Sequence, residues 1–221
     1  MQEDYTSPPK EPSDLLKGVF EILESLSMAI LFVILTFIFV ARLSIVSGSS
    51  MDKTLADRDY LIVGNFFSTY SPDNGDIVVI QVEPQDHADP IVKRIIATEG
   101  QEIKIRYSNS LGAEADDIFE VYVDGVLLDE SGYAYYSCFD QTVPTWERRP
   151  FIPPSPSVMD ISYKNDISTA TAIVPEGCVF VMGDNRNNSL DSRNVTFGFI
   201  REEFILGKVI FRLLPNTGTL D

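Results

Sequence analysis

A long apolar run near the N-terminus dominates the hydrophobic pattern of the chain. Residues 25–41 carry no charge and are rich in Ile, Leu, Phe and Val. A helix of this length spans about 26 Å, enough to cross the apolar core of a bilayer if Arg42 snorkels outward. The pattern predicts a transmembrane helix over 25–42, after a tail over 1–24 that becomes helical from Ser13. A cleaved signal peptide is disfavoured, because the tail is acidic and no small-x-small site follows the run.

Beyond the apolar run, the hydrophobic positions recur with the short periods of β-strands. The strands predicted from these runs are Tyr60–Val63, Ile77–Val82, Ile91–Ala97, Glu102–Tyr107, Cys178–Met182 and Ile205–Leu214. Asp124-Gly125, within Phe119–Leu128, is a strong signal for a two-residue hairpin. Residues 131–171 are rich in Tyr, Ser and Pro and are interpreted as a loop-rich cap rather than core. The predicted fold class is therefore mainly β over 43–221, after one N-terminal helix.

Composition excludes several classes of function. The chain has 33 acidic against 17 basic residues, a net charge of −16, and no basic face that could bind nucleic acid. With one histidine and two cysteines, a zinc site built on several such ligands cannot form, and neither a metal nor a cofactor is predicted. His87 lies among turn-forming residues and is expected in a surface loop rather than in a catalytic triad. Cys138 and Cys178 could be paired or could be free thiols.

The stretch Ser47–Leu55 has two interpretations. It could be a Ser/Gly linker between an anchor and a soluble domain, or Ser50 could be a nucleophile held close to the bilayer. Ser50 lies nine residues after Ala41. Even a fully extended chain therefore keeps it within about 30 Å of the predicted membrane segment.

Lys93 is the candidate base for such a serine, because a serine hydroxyl is a weak nucleophile without one. It lies in the apolar strand Ile91–Ile96, which would place it on the face that carries Ile91 and Ile95. Burial disfavours the ammonium form, so the pKa of Lys93 should fall. The alternative is an edge-strand lysine whose amine turns to water.

A third stretch, 182–194, follows a short apolar strand and is dense in Asp, Asn, Arg and Ser. It could be a solvated loop. Alternatively, Asp191 and Arg193, together with Asp184 and Arg186, could form ion pairs that fix the loop. Ser189 could then present its hydroxyl to an amine.

Together these stretches resemble the type I signal peptidases, membrane-bound serine peptidases with a Ser–Lys dyad, in the form seen in Gram-positive bacteria. The matching segments are Gly48–Leu55, Gly75–Val79, Val92–Ile96 and Gly183–Gly198. The resemblance covers about residues 26–214. It departs from the family at Lys53, where proline is common, and at Ala97–Gln101, which replaces the usual G-x-P-G-D.

The resemblance implies a role for each matching residue. Ser50 would attack the carbonyl at the cleavage site, and neutral Lys93 would take its proton and later protonate the leaving amine. Ser189 would orient the Lys93 amine. The oxyanion would be met by the N–H of Ser50 alone, because Gly48 stands where some relatives have a serine hydroxyl. Asp191 and Arg193 would hold the loop.

The resemblance also implies substrates and topology. The substrates would be membrane-bound pre-proteins with small residues one and three places before the cut. Residues 1–24 would be cytosolic, and the catalytic domain would lie on the extracytoplasmic side of the cell membrane, anchored in the lipid bilayer by a single span. The implied fold is an antiparallel β-sheet domain, whose catalytic core would comprise 46–98 and 172–214, with 99–171 as an inserted cap. An anchored β-rich binding module with a degenerate site, and a peptidase dedicated to one partner, are the alternatives.

Overall fold

The computed structural model describes the chain in eight stretches. They are residues 14–64, 70–81, 89–108, 119–136, 158–164, 167–195, 197–214 and 217–219. His87 and Cys138 lie outside these residues, so the expectations for both stay predictions. The chain divides into two compact units, Met1–Ala41 and Arg42–Asp221, which are described separately.

One helix, α1 over Asp14–Phe39, accounts for the described part of the first unit. Its apolar side chains are exposed, and Leu15–Phe37 is long and apolar enough to cross a membrane. The start of the helix at Asp14 agrees with the prediction that the tail becomes helical from Ser13, but the helix ends before residue 42, the predicted end of the span. It ends earlier because the chain is already extended at Arg42, which lies in the strand that follows.

Thirteen strands and a short 3-10 helix, Glu202–Phe204, follow within the described residues. The strands are β1 Ala41–Ile45, β2 Tyr60–Gly64, β3 Ile77–Ile80, β4 Ile91–Thr98, β5 Glu102–Ser108, β6 Phe119–Val123, β7 Val126–Leu127, β8 Asp160–Lys164, β9 Ile167–Ile173, β10 Cys178–Met182, β11 Ile200–Arg201, β12 Ile205–Leu214 and β13 Gly218–Thr219. The six strands predicted from the hydrophobic pattern are all present, each within two residues of its predicted ends.

The strands form two sheets. The first has the order β1-β2-β12-β3-β4-β10-β11, with β13 beside β12, and the second has the order β7-β6-β5-β9-β8. In the first sheet the pairings from β2 across to β11 and that of β12 with β13 are antiparallel, and so are the pairings of the second sheet. Register shifts between β4 and β10, and between β12 and both its neighbours, mark bulges that bend the first sheet. This architecture confirms the predicted mainly β, antiparallel fold behind one N-terminal helix.

Three clusters of buried apolar side chains fill the second unit. One contains residues of both sheets, with Phe180 of β10 among its members. The other two divide the alternating residues of β3, with Ile77 and Val79 in one and Val78 and Ile80 in the other. A strand that is buried on both faces is held tightly by close packing. It therefore gives its neighbour β4, which carries the candidate base, a rigid support.

Two predictions about the second sheet have opposite outcomes. The hairpin between β6 and β7 is confirmed, because Asp124 and Gly125 have φ of 50° and 76°, the positive values that a type I′ turn requires. The interpretation of residues 131–171 as loop rather than core is wrong after residue 158. There β8 and β9 pair, and the buried Met159 and Ala170 belong to the core. Ser and Thr alternate with apolar residues in β9, which gives a weak strand signal.

Candidate active site

The serine-rich stretch lies in the loop between β1 and β2. Its residues Gly48–Leu55 are called the Ser50 turn below. Gly48 has a φ of 97°, a conformation that favours glycine, and its N–H donates to the Asp57 carboxylate at 2.9 Å. After Ser50 the chain makes one helical turn, in which the Leu55 N–H donates to the Met51 carbonyl at 2.7 Å. The Met51 and Leu55 side chains are both buried. They fasten the turn to the core and leave Ser50 half-buried at its start.

Strand β4 brings Lys93 into contact with Ser50. Lys93 pairs with Val78 of β3 and is only 3% exposed. Its Nζ lies 2.7 Å from Ser50 Oγ, in a hydrogen bond that joins residues 43 positions apart. Because β4 lies between β3 and β10, Lys93 is not on an edge strand. The structure thus brings together the two residues that the sequence singles out as nucleophile and base.

The surroundings of Lys93 favour its neutral form. Burial lowers the pKa of Lys93 from 10.5 to about 8. The Asp191 and Asp184 carboxylates oppose this shift by favouring the ammonium, while the Arg193 guanidinium adds to it. A neutral amine at hydrogen-bond distance from a hydroxyl can accept the proton of that hydroxyl. The geometry and the electrostatics of the pair therefore fit proton transfer from Ser50 to Lys93.

Asp191 and Arg193 form the ion pair that the loop composition predicts. Nε and Nη2 of Arg193 donate to the two carboxylate oxygens of Asp191 at 2.8 and 2.9 Å, and both side chains are fully buried. Arg193 Nη2 also donates to the Arg186 carbonyl, and Asp191 accepts from the Gly183 N–H at 3.0 Å. Burial alone would raise the pKa of Asp191, but the Arg193 charge and these hydrogen bonds hold it below its usual value. The ion pair therefore connects the two ends of the loop over 182–194.

Asp184 and Arg186 form their ion pairs with residues outside the loop, although Arg186 Nε also donates to the Gly183 carbonyl within it. Asp184 accepts from Arg94 Nε and Nη2 at 2.9 and 2.8 Å, and from the Thr54 hydroxyl at 2.5 Å. Arg186 forms an ion pair with Glu130 at 2.5 Å. Buried charges need close partners of opposite sign. Here β4 and the segment after β7 supply them, so the expectation that the four loop charges pair among themselves holds only for the other two.

Ser189 lies beside the Ser50 turn but does not hydrogen-bond to Lys93. Its hydroxyl is buried and has no hydrogen-bond partner among the described residues. It is close enough to Asp191 to help lower the pKa of that carboxyl, although not in standard hydrogen-bond geometry. A Cβ at Gly183 would lie 2.3 Å from Ser189 Oγ and 2.5 Å from the Ser50 carbonyl oxygen. Only glycine fits where the loop crosses the turn.

The Ser50 turn is bound by two asparagines that sequence reasoning did not single out. Asn185 Nδ2 donates to the Ser49 carbonyl at 3.0 Å, and the Asn185 N–H donates to the Ser50 carbonyl at 3.0 Å. Asn188 Nδ2 donates to Ser49 Oγ at 2.6 Å. The polar density of the loop was the available signal, but an amide carries no charge that would indicate its partner.

The segment after β7, interpreted from sequence as part of a cap, also reaches the site. The Tyr135 N–H donates to the Asp184 carbonyl at 2.7 Å, and the Tyr135 carbonyl accepts from the Arg186 N–H at 2.8 Å. Lys53 has a φ of 75°, whereas a proline ring fixes φ near −65°. The backbone here therefore differs from the one that the proline of the family would adopt. Lys53 Nζ lies 4.8 Å from the Tyr135 ring centroid.

Comparisons with known proteins agree with one another. A family model described as signal peptidase, peptidase S26, matches residues 19–214. Signal peptidase IB of Staphylococcus aureus (strain COL) is 34% identical over an alignment of 201 positions, which covers 88% of this chain and 91% of that protein. A probable signal peptidase I-2 of Synechocystis sp. is 30% identical over an alignment of 182 positions, which covers 80% of this chain and 65% of that protein. A crystal structure of a signal peptidase I from Enterococcus faecalis V583 aligns with a TM-score of 0.39 and 22% identity, over 64% of this chain and 99% of that one.

The family model and the sequence relatives define the class of protein as a serine endopeptidase. Among such enzymes, the chain belongs to the signal peptidase family, peptidase S26. Within the described residues no group of three or more His, Cys, Asp or Glu side chains could hold a metal ion.

Proposed function

We propose that this chain is a membrane-anchored signal peptidase that removes N-terminal signal peptides from exported pre-proteins. Membership of the signal peptidase family supports the removal of signal peptides by a serine peptidase. The finer proposal is that Ser50 is the nucleophile and neutral Lys93 the general base. It rests on one observation above all, the 2.7 Å contact between the Ser50 hydroxyl and the buried Lys93 amine.

The first half of the proposed reaction forms an acyl-enzyme. Ser50 Oγ attacks the carbonyl carbon at the cleavage site while Lys93 Nζ takes the hydroxyl proton. The carbonyl oxygen becomes an oxyanion. When the tetrahedral intermediate collapses, the C–N bond breaks, and the Lys93 ammonium gives its proton to the leaving amine. The signal peptide is then joined to Ser50 by an ester, and the mature protein is free to leave.

The second half repeats these steps with water. Neutral Lys93 takes a proton from a water molecule, which attacks the ester carbon. Collapse of the second intermediate breaks the bond to Ser50 Oγ, which recovers a proton from Lys93. The signal peptide leaves with a new carboxylate, and both side chains return to their starting forms.

The main-chain N–H of Ser50 is proposed to bind the oxyanion. Within the described residues, no acceptor is recorded for this N–H. Gly48 offers no hydroxyl at the position where some relatives have one, so the oxyanion is assigned to a main-chain donor. Asp191, Arg193 and Ser189 are assigned to support, because they shape the loop that lies against the turn.

Helix α1 is proposed to anchor the enzyme as a single span in the cell membrane. Apolar side chains such as Leu26, Ile30 and Phe32 are each more than half exposed, and a bilayer would cover them. Residues 1–24 would then be cytosolic and 43–221 extracytoplasmic. Protease added to intact spheroplasts tests this topology. It should digest the second unit and spare an epitope placed before residue 1, and the reverse pattern would contradict the proposal.

Processing of a purified pre-protein by the full chain in detergent micelles tests the proposed chemistry. Wild-type enzyme should cleave, whereas Ser50→Ala and Lys93→Met should each lower the rate by at least about 10³-fold, because removing one member of such a pair removes the covalent step. Ser162→Ala, at an exposed position of β8, and Lys104→Met, on β5, are matched controls that should cleave at the wild-type rate.

The alternative of an anchored binding module with a degenerate site makes the opposite prediction. Under that alternative, the Ser50 and Lys93 variants would process substrate no more slowly than wild type. Equal rates would therefore refute the peptidase chemistry. Several unrelated pre-proteins, assayed in parallel, separate a general signal peptidase from one dedicated to a single partner.

A further inference from the structure

Asn185 holds the two peptide units that flank the Ser50 Cα atom. Its side-chain Nδ2 donates to the Ser49 carbonyl at 3.0 Å, and its main-chain N–H donates to the Ser50 carbonyl at 3.0 Å. The Asn185 side chain is 1% exposed, so both contacts are shielded from water. One residue of the loop therefore contacts both carbonyls next to the proposed nucleophile.

The Ser49 carbonyl matters because it shares a peptide unit with the Ser50 N–H. A trans peptide is planar, and its C=O and N–H point in opposite directions. Fixing the Ser49 carbonyl oxygen therefore fixes the direction of the Ser50 N–H. The second contact holds the next peptide plane, and the two planes together set φ and ψ of Ser50.

Asn185 is itself held firmly enough to do this. Tyr135 pairs with it in an isolated bridge and hydrogen-bonds to the peptide groups on both sides of it, at the Asp184 carbonyl and the Arg186 N–H. The Asn188 N–H donates to the Asn185 carbonyl at 3.0 Å. The Oδ1 atom of Asn185 has no hydrogen-bond partner among the described residues, so the Nδ2 contacts are what orient the amide.

We propose that Asn185 is a positioning residue, which aims the Ser50 N–H at the oxyanion by holding the carbonyl of the same peptide unit. The inference rests on the proposed function, because it assigns the Ser50 N–H to the oxyanion. It adds a residue outside the Ser–Lys pair whose contribution is specific to the tetrahedral intermediate. Substrate binding and proton transfer to Lys93 do not depend on it.

The structure bounds the expected effect. Removing an oxyanion donor outright costs about 10²- to 10³-fold in kcat. Asn185→Ala leaves the Ser50 N–H in place but removes the side-chain contact that holds its peptide plane. The Asp52 N–H still donates to the Ser49 carbonyl at 3.2 Å. We therefore expect kcat to fall by about 10- to 100-fold, with KM within about threefold of wild type.

The test uses the full chain in detergent micelles, with a signal-peptide substrate and two matched inhibitors. A peptide aldehyde adds to Ser50 Oγ and places an oxygen in the oxyanion position, whereas the corresponding peptide alcohol only binds. Asn185→Ala should weaken the aldehyde by about the same factor as kcat and leave the affinity for the alcohol unchanged. The midpoint of its pH–rate profile should match that of wild type, because the Lys93–Ser50 contact remains.

Two further variants control for shape and for the neighbouring contact. Asn185→Leu keeps about the size of the side chain but removes the donor without adding a charge beside the Asp52 carboxylate, so it should behave like Asn185→Ala even if the smaller alanine side chain destabilises the loop. Asn188→Ala removes a contact to the Ser49 side chain but not to its carbonyl, so its kcat should fall less than that of Asn185→Ala. Thermal unfolding of each variant, with assays well below its midpoint, keeps the comparison to folded enzyme.

The outcomes separate this inference from the function on which it rests. Wild-type enzyme that shows no Ser50-dependent cleavage would contradict the proposed function. Cleavage by wild type with an equal kcat in both Asn185 variants would overturn the inference alone. Equal weakening of aldehyde and alcohol, or a shifted pH midpoint, would also overturn it, because either result would show a general disturbance of the site.

Discussion

Replacing Lys93 with methionine tests whether this lysine is buried at a cost to stability. Methionine keeps an unbranched apolar side chain but cannot carry a charge. A folded pKa of about 8, against 10.5 in the unfolded chain, means that protonated Lys93 lowers the free energy of unfolding by about 3 kcal/mol at pH 6. Replacing Lys93 removes this penalty, but losing the hydrogen bond to Ser50 lowers the free energy of unfolding by about 1 kcal/mol. We therefore expect Lys93→Met to be about 2 kcal/mol more stable than wild type at pH 6.

The pH dependence of this difference has a defined sign. The unfolded lysine keeps its proton up to about pH 10.5, whereas the folded lysine loses it near pH 8. Between these values the unfolded state binds more protons, so the free energy of unfolding of wild type rises with pH. Above about pH 10.5 both states are neutral and the penalty is gone. The advantage of the methionine variant should therefore shrink from pH 8 upward and vanish or reverse near pH 10.5.

Urea unfolding of the full chain in detergent micelles, followed by near-ultraviolet circular dichroism at pH 6, 8 and 10, measures the difference. Lys104→Met is the matched control. The Lys104 amine lies 5.8 Å from the Tyr122 ring centroid in the second sheet, so its replacement leaves the Ser50–Lys93 contact in place. A Lys93→Met variant that is less stable than wild type at pH 6, or whose difference from wild type does not vary with pH, would refute the reasoning.

Three further predictions follow from the geometry of the site. The pH–rate profile of kcat/KM should rise through the pKa of Lys93 near 8 and then level off, because the neutral amine is the base; a flat profile from pH 6 to 10 would contradict this. Gly183→Ala should lower kcat at least about tenfold, since its Cβ would lie 2.5 Å from the Ser50 carbonyl oxygen. Gly132→Ala, which meets nothing within 4 Å, is its control. Lys53→Pro should lower the free energy of unfolding by about 1–3 kcal/mol, because proline cannot adopt a φ of 75°. Lys53→Gly should stay within about 1 kcal/mol, because relief of the positive φ balances the lost contact with the tyrosine ring. Thermal unfolding measures both Lys53 variants, and a proline variant as stable as wild type would exclude the positive φ.

Much of the fold could be predicted from local patterns. Strands with continuous apolar runs, such as Cys178–Met182, and the Asp124-Gly125 turn carry their signal within a few residues. The pair β8 and β9 could not be predicted in this way, because Ser and Thr dilute the apolar pattern. Tertiary contacts at Ala170 decide that these residues are core.

The residues of the candidate site also differ in whether local sequence or only tertiary structure reveals their contacts. Lys93 is conspicuous because a lysine within an apolar strand requires an explanation, whereas Ser50 is chosen among the serines of its stretch through the resemblance to signal peptidases. The partner of Asp184 is different, because Arg94 lies 90 residues away and only the pairing of β3, β4 and β10 brings them together. Asn185 shows the same limit, since its contacts are to main-chain carbonyls, which leave no trace in the sequence.

The central claim is that Ser50 forms a covalent bond to substrate with Lys93 as its base, and trapping the acyl-enzyme tests it most directly. Enzyme mixed with excess signal-peptide substrate is quenched in acid, digested and examined by mass spectrometry. Wild type should carry the N-terminal substrate fragment as an ester on Ser50, whereas Lys93→Met should carry none. Substrate cleavage without an adduct on Ser50, and undiminished in Ser50→Ala, would contradict the account.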